Sequence, residues 1–208
     1  MIVSRRSFLL DALAYRVRLV SWPQLLTLGP GSTAYARNLR RLLRRLEGSR
    51  LIRRLTVLAR PAPTIEKPLF RWQPGDNLPP FQAIQYQGEK RNWAPVKAVT
   101  VFLGTSRLAN VLGGVCGQKL NQNSVTHDLG VTSVYLHLWA TDPDLALAWQ
   151  GEDIVAPSRH RQKLPDAMLF NPAGEPAMAI EFIGDYPTAR IVAFHNDCAS
   201  RALPYEVY

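Results

Sequence analysis

The sequence predicts an α+β or α/β protein in two parts, a basic helical module followed by a domain in which helices and strands alternate. Three observations lead to this expectation. Positive charge is concentrated in the first part, apolar residues recur there at helical spacing, and strand-like and helix-like segments alternate regularly from Ser124 onward. We place the first module at residues 1–75, a linker at 76–95 and the second domain at 96–208.

The net charge of +9 is divided unequally along the 208 residues. Residues 1–95 hold 17 Lys and Arg against 5 Asp and Glu, a net charge of +12. Residues 96–208 hold 8 Lys and Arg against 11 Asp and Glu, a net charge of −3. This distribution is typical of a polyanion-binding module joined to a mildly acidic domain.

Features of membrane and secreted proteins are not evident in the sequence. No stretch approaches the ~20 uninterrupted apolar residues of a membrane span. An apolar run follows the first arginines, but Asp11, Arg16 and Arg18 interrupt it and no small-residue cleavage site follows. We therefore expect a cytoplasmic protein that has no membrane partner.

The two cysteines, Cys116 and Cys198, are too few for a disulfide framework and lack the spacing of zinc ligands. Cys198 lies near His195, which leaves a catalytic Cys–His pair open as a hypothesis. Two packed thiols are the favoured interpretation.

The N-terminal module begins with three predicted helices. A short β-bridge at Leu19 and Val20 separates the first two of them. The first predicted helix carries Phe8, Leu9, Leu13 and Val17 and has Ser4 or Ser7 as its cap. The second runs from Ser21 to Leu28, and the third from Ser32 or Thr33 to Gly48.

The third helix is amphipathic and rich in arginine. One apolar stripe is formed by Leu39, Leu42, Leu43 and Leu46. The remaining faces carry Arg37, Arg40, Arg41, Arg44 and Arg45. After the helix, LIRRLTVLARP and EKPLFRWQP are strand-like runs around a proline-rich turn at residues 62–64, which predicts an irregular hairpin.

Helix, short strand, helix, turn, arginine-rich helix and hairpin is the order of a winged helix-turn-helix. In that fold the third helix lies in the major groove of duplex DNA and the hairpin, or wing, contacts phosphate. Besides the helix arginines, we therefore predict DNA contacts from the wing residues Arg53, Arg54, Arg60, Lys67 and Arg71.

Two other interpretations of this module remain open, a solvated arginine face and a winged helix that docks a protein. The confinement of the positive charge to the module favours DNA. Winged helices often bind as dimers, so a homodimer is a candidate assembly. The base sequence stays open, because arginine reaches guanine and phosphate equally well.

The second domain shows a regular order of predicted elements. A largely buried helix at residues 125–140 is followed by strands in LALAWQGEDIV, LPDAMLFNP and PAMAIEFIG, a helix in TARIVAFHNDCASRA and a final strand in LPYEVY. Upstream, PVKAVTVFLGT predicts a strand and SRLANVLGG a short helix, while residues 74–95 are predicted to be a connection.

This αβββαβ order, with Pro165-Asp166 on its second strand and Glu181 near the end of the third, resembles the PD-(D/E)xK restriction-endonuclease-like core. With the winged helix in front, the chain is similar to the replication-relaxation family and to MobC-type mobilisation proteins. Further matching features are the helix start near His127, the acidic Glu152 and the closing helix before Tyr205. The resemblance implies a DNA-binding protein of transcription control, plasmid replication or mobilisation.

The resemblance also implies a metal site. In such cores two or three carboxylates on neighbouring strands hold Mg²⁺ or Mn²⁺, which polarises a phosphodiester and activates water. Here the ligands would be Glu152, Asp166 and Glu181, with Asp166 and Glu181 as the catalytic candidates.

The lysine that the motif places two residues after the glutamate is missing. Ile183 occupies that position, and the last lysine of the chain is Lys163. Arg190 is a candidate replacement from the following helix. We therefore favour a degenerate core retained for packing or dimerisation, and a duplex-binding protein without catalysis. The alternatives are a metal-dependent DNA nickase or relaxase, and an accessory factor that docks a relaxase or replication protein.

Overall fold

A computed structural model describes residues 5–91, 94–159 and 162–208. The predicted cap Ser4 and the loop residues His160 and Arg161 lie outside these ranges. The α-helices are α1 Arg5–Asp11, α2 Trp22–Thr27, α3 Thr33–Gly48, α4 Phe81–Arg91, α5 Ser106–Leu112, α6 Val125–Thr141, α7 Pro143–Ala148, α8 Glu152–Val155 and α9 Thr188–Ser200. A π-helix at Ala12–Arg16 continues α1, and a 3-10 helix at Ala156–Ser158 follows α8. The strands are β1 Leu19–Ser21, β2 Ile52–Ala59, β3 Phe70–Trp72, β4 Lys97–Gly104, β5 Trp149–Gly151, β6 Ala167–Phe170, β7 Pro176–Glu181 and β8 Tyr205–Val207.

The chain divides into two compact units. Unit 1 comprises residues 1–62 and 96–132, and unit 2 comprises residues 63–95 and 133–208. The mixed α+β class predicted from the sequence is confirmed. The division differs from the predicted boundaries, because the chain passes from one unit to the other three times.

Unit 1 contains a three-stranded antiparallel sheet in the order β1-β4-β2. The predicted hairpin of LIRRLTVLARP with EKPLFRWQP is wrong, since β2 pairs with β4 along its whole length. Strand β4 is eight residues long and buries Val99, Val101 and Leu103. The nearer segment holds two prolines and forms only the three residues of β3, so it offers far fewer ladder hydrogen bonds.

Both faces of this sheet are covered within unit 1. Ile52 and Phe102 pack against the apolar sides of α1, α2 and α3. Val57 and Val101 point to the other face and pack with Val125 and Leu129, at the start of α6. Alternation along β2 therefore determines which of its side chains lie on the same side as α3.

Helix α3 begins where the sequence predicts. The hydroxyl of Ser32 accepts a hydrogen bond from the backbone N–H of Tyr35 at 3.1 Å, which is an N-cap. The apolar side of the helix buries Tyr35, Leu39, Leu43 and Leu46. The orientation of α3 is thus fixed by its contact with the core of unit 1.

Unit 2 contains a five-stranded sheet in the order β3-β8-β7-β6-β5. Strands β7 and β8 are parallel, and the other neighbours are antiparallel. From the end of α6 the chain runs through α7, β5, α8, β6, β7 and α9 to β8, so short helices precede and follow the first of the three strands.

Two predictions about unit 2 are wrong. The segment predicted as a connection contains α4, which buries Ile84 and brings Gly88 against Ile183. The strand predicted in LALAWQGEDIV is limited to β5, because Asp142 caps a short helix ahead of it through the N–H of Leu145. No helix within the described residues combines the length and the apolar character needed to cross a bilayer.

Candidate nucleic-acid interface

The arginines of α3 form one continuous exposed face. At 100° per residue, Arg37, Arg41 and Arg44 lie opposite the buried stripe of Leu39 and Leu46. Arg40 and Arg45 flank them and are also exposed. We call these five arginines the basic face.

Members of the basic face lie one helical turn apart, as Arg37 and Arg41 do. Like charges at this spacing destabilise an isolated helix by a few tenths of a kcal/mol per pair. A polyanion laid along the face would relieve that repulsion. Among the described residues, Arg37, Arg41, Arg44 and Arg45 have no ion-pair partner.

The positive charge of unit 1 is almost uncompensated. The unit holds 16 Lys and Arg against 3 Asp and Glu, a net charge of +13. Each of the three acids is already engaged by an arginine, in the pairs Asp11–Arg16 at 3.1 Å, Glu47–Arg54 at 3.3 Å and Asp128–Arg18 at 3.7 Å. The basic face is therefore not neutralised by carboxylates of its own unit.

One arginine of the basic face is held by an aromatic side chain. The guanidinium carbon of Arg40 lies 5.1 Å from the centroid of the Trp22 ring. Trp22 is the first residue of α2, where Ser21 and Gln24 form a capping box. Sequence reasoning missed this contact, because it joins residues of two helices and has no local signal.

The predicted wing residues of β2 are found at two sides of the strand. Arg54 shares the side of Ile52 and pairs with Glu47 near the end of α3. Arg53 points to the opposite side and donates to the carbonyl of Gln118 at 3.2 Å. Arg60 follows the strand, and its backbone N–H donates to the hydroxyl of Thr126 at 3.1 Å.

Two residues predicted for the wing belong to the other unit. Lys67 precedes β3, and Arg71 lies within it. Strand β3 pairs with β8, so Arg71 lies opposite Glu206 and forms an ion pair with it at 2.6 Å. The prediction that they share a hairpin with β2 is therefore wrong.

The carboxylates of Asp166 and Glu181 converge in unit 2. Both are buried, at 7% and 1% exposure. Glu181 Oε2 accepts from the backbone N–H of Asp166 at 3.3 Å, and Asp166 Oδ2 accepts from the backbone N–H of Phe182 at 2.7 Å. Each carboxylate thus binds the main chain beside the other and ties the start of β6 to the end of β7.

Glu152 joins this region through its backbone, since its N–H donates to the carbonyl of Asp166 at 2.9 Å. Tyr186 lies in the field of the same carboxylates. Burial, and then the charges of Asp166 and Glu181, raise the pKa of its phenol, which therefore stays protonated. The guanidinium carbon of Arg190 lies 3.6 Å from the centroid of the Tyr186 ring.

The predicted metal site does not fit this geometry. No group of three or more His, Cys, Asp or Glu side chains in the described ranges is placed to hold a metal ion. The carboxylates of Asp166 and Glu181 both accept main-chain hydrogen bonds. The lysine position of the motif is the fully buried Ile183.

The Cys198–His195 hypothesis has no support in the geometry. His195 Nδ1 lies 3.0 Å from the hydroxyl of Tyr205. Burial raises the pKa of the Cys198 thiol to about 12 and lowers the pKa of the imidazole. A nucleophilic cysteine needs the opposite shift, toward the thiolate.

Comparison with family models gives no match for this chain. Curated proteins and solved structures likewise show no significant similarity to it.

Proposed function

We propose that this protein binds duplex DNA through unit 1, with α3 in the major groove. The observation that carries the proposal is the basic face, five exposed arginines opposite the apolar stripe of a capped helix. The element order α1, β1, α2, α3, β2, β4 with the sheet order β1-β4-β2 supports a winged helix-turn-helix. In this arrangement the wing strands are β2 and β4, which pair antiparallel although residues 60–96 separate them in the sequence.

Affinity in such a complex comes largely from phosphate contacts. Each neutralised phosphate releases counterions, so the logarithm of the binding constant falls by about 0.9 per contact for each tenfold rise in salt. Arg54 and the five arginines of the basic face all belong to unit 1, and their guanidinium groups are exposed for phosphate contacts. Transcription control, plasmid replication and mobilisation are the processes in which we expect this binding to serve.

Fluorescence anisotropy on a random-sequence duplex, titrated from low to near-physiological salt, tests the proposal. We expect a steep loss of affinity with salt. The variant R41A/R44A should lower the salt slope by about two, since each arginine contributes about one. The matched control K90A/R201A removes the same charge from exposed positions of unit 2 that are not predicted to contact DNA, and it should leave the slope nearly unchanged. Weak binding without a salt slope in the intact protein would refute the proposal.

For unit 2 we infer a degenerate restriction-endonuclease-like core that is retained for packing or dimerisation. The succession of α6, β5, β6, β7, α9 and β8, interrupted by the short helices α7 and α8, supports the resemblance. The main-chain hydrogen bonds of Asp166 and Glu181 favour a structural role for both acids. Supercoiled plasmid should remain intact with Mg²⁺ or Mn²⁺. Nicking that disappears in D166N, with the fold intact, would instead establish a nuclease.

A further inference from the structure

Within the basic face, Arg40 is distinguished by the contact of its guanidinium with an aromatic ring. The side chain reaches the Trp22 ring, with 5.1 Å between the guanidinium carbon and the ring centroid. Within the described part of the chain, the remaining arginines of the face contact no aromatic ring in this way. A guanidinium above an indole keeps its N–H groups at the edge of its plane, where they are free to donate.

Reading a base and binding a phosphate make different demands on an arginine. A phosphate accepts from many directions, so a mobile side chain serves. A guanine offers O6 and N7 in one plane, and a bidentate contact needs the guanidinium in a fixed orientation. A side chain that is ordered before binding also loses less conformational entropy on binding.

Trp22 is itself well placed to hold a fixed orientation. Trp22 is the first residue of α2. Ser21 stabilises this helix start, because its hydroxyl and its backbone N–H both donate to Gln24 Oε1, at 2.9 and 3.0 Å. The Gln24 amide in turn donates to the carbonyl of Leu129 at 2.8 Å. The indole also packs against the core cluster of unit 1. The support for Arg40 therefore extends into the core.

We propose that Arg40, held by Trp22, is the residue of α3 that gives sequence preference, by donating two hydrogen bonds to a guanine in the major groove. Arg37, Arg41, Arg44 and Arg45 supply phosphate contacts. This assignment rests on the proposed duplex binding. Trp22 is a positioning residue, since it acts through Arg40.

The test begins with selection of preferred duplexes from a random library by the intact protein. Affinities are then measured for the selected duplex and for a scrambled one of equal composition. The readout is the ratio of the two, the sequence preference. We expect R40K, which keeps the charge and loses the planar fork, to reduce this ratio at least about tenfold. Its affinity for the scrambled duplex and its salt slope should stay close to those of the unchanged protein.

Variants at Trp22 distinguish its role in positioning Arg40 from its contribution to folding. W22F retains an aromatic face and should keep most of the preference, whereas W22L should lose it and keep the salt slope. R41K is the matched control and should keep the preference. If W22L lowers the melting temperature strongly, the comparison of R40K with R41K decides the assignment.

The outcomes separate the two proposals. Salt-dependent binding with an unchanged preference in R40K, or with no preference in the intact protein, would overturn the role of Arg40 and leave duplex binding standing. Loss of preference in R40K with full preference in W22L would overturn the role of Trp22. Absence of salt-dependent binding in the intact protein would refute both.

Discussion

Asp166 carries a buried main-chain hydrogen bond, and its removal has a defined cost. In D166A the backbone N–H of Phe182 loses its acceptor at 2.7 Å and stays buried. An unsatisfied buried donor costs about 1–3 kcal/mol. We expect D166A to lower the free energy of unfolding in urea by that amount, and D166N, which retains a carbonyl acceptor, to lower it less.

Asp185 provides the control for this measurement. It is an exposed carboxylate of the same unit. D185A should change the free energy of unfolding by less than about 0.5 kcal/mol. Equal effects of D166A and D185A would mean that the hydrogen bond contributes nothing.

The buried thiol of Cys198 should make the free energy of unfolding depend on pH. Burial, with the nearby Asp197 carboxylate adding to it, raises the pKa of the thiol to about 12. The folded chain therefore favours the protonated thiol. The stability that this group contributes is complete below about pH 8.5, the thiol pKa of an unfolded chain, and is lost as pH rises toward 12.

This loss can be measured by comparing two variants. Between about pH 8.5 and the alkaline limit, the free energy of unfolding of C116A should fall more steeply than that of C116A/C198A. The absence of Cys116 from both variants restricts the comparison to the buried thiol. Parallel profiles would show that the thiol of Cys198 does not discriminate between the folded and unfolded chains.

At the scale of elements, the turn between α2 and α3 depends on a close approach. A Cβ at Gly29 would lie 2.3 Å from the Tyr35 ring, and this ring is buried and donates its hydroxyl to the carbonyl of Leu25 at 2.9 Å. We expect G29A to lower the free energy of unfolding by about 1–3 kcal/mol, as overpacking does. Because the turn positions α3, duplex affinity should fall with it.

Gly48 is the matched position at the other end of α3. A Cβ there meets nothing within 4 Å. G48A should be neutral or stabilise the protein by up to about 1 kcal/mol, because alanine favours the helix. Thermal melts of the two variants side by side give the comparison, and a destabilised G48A would contradict it.

Elements that depend on contiguous residues were predictable from the sequence. The Ser32 cap, the stripe of Leu39 and Leu46, and the strands around Asp166 and Glu181 follow from local periodicity and local chemistry. The arginine spacing likewise predicts an exposed basic face. Helix α4 was missed because its sequence shows little apolar periodicity. Its buried residues are Ile84 and Gly88.

Pairings between distant segments were not predictable. The partner of β2 lies beyond residues 60–96, and the sequence offered a nearer strand-like run. The contact of Arg40 with Trp22 joins two helices, and the hydrogen bonds of Asp166 and Glu181 go to backbone atoms. Such contacts are determined by the packing of the elements, and residue types carry no signal for them.

At the scale of the whole molecule, the segments assembled in unit 1 define the smallest part of the chain to which we assign the proposed DNA binding. A fragment of residues 1–75 lacks β4, the central strand of the sheet, and should show no cooperative thermal transition. Residues 1–59 joined to residues 97–132 by an Asn-Gly turn keep the β2–β4 pair as a direct hairpin. That chimera should melt cooperatively and retain salt-dependent duplex binding.

Circular dichroism and anisotropy on the two fragments check this expectation. A cooperative melt for residues 1–75 would mean that β4 is dispensable. An unfolded chimera would mean that residues 60–96 or unit 2 are needed for the fold of unit 1.

The position of β4 also bears on how the protein is made on the ribosome. Strands β1 and β2 are synthesised first, yet neither has its partner until Gly104 has left the exit tunnel. At about 5–20 residues per second, the interval between β2 and β4 lasts a few seconds. Throughout it the nascent chain presents unpaired strand edges and an open apolar core, the state in which aggregation competes with folding. The translation speed across residues 60–104 and the chaperones that bind this nascent chain therefore bear directly on its yield.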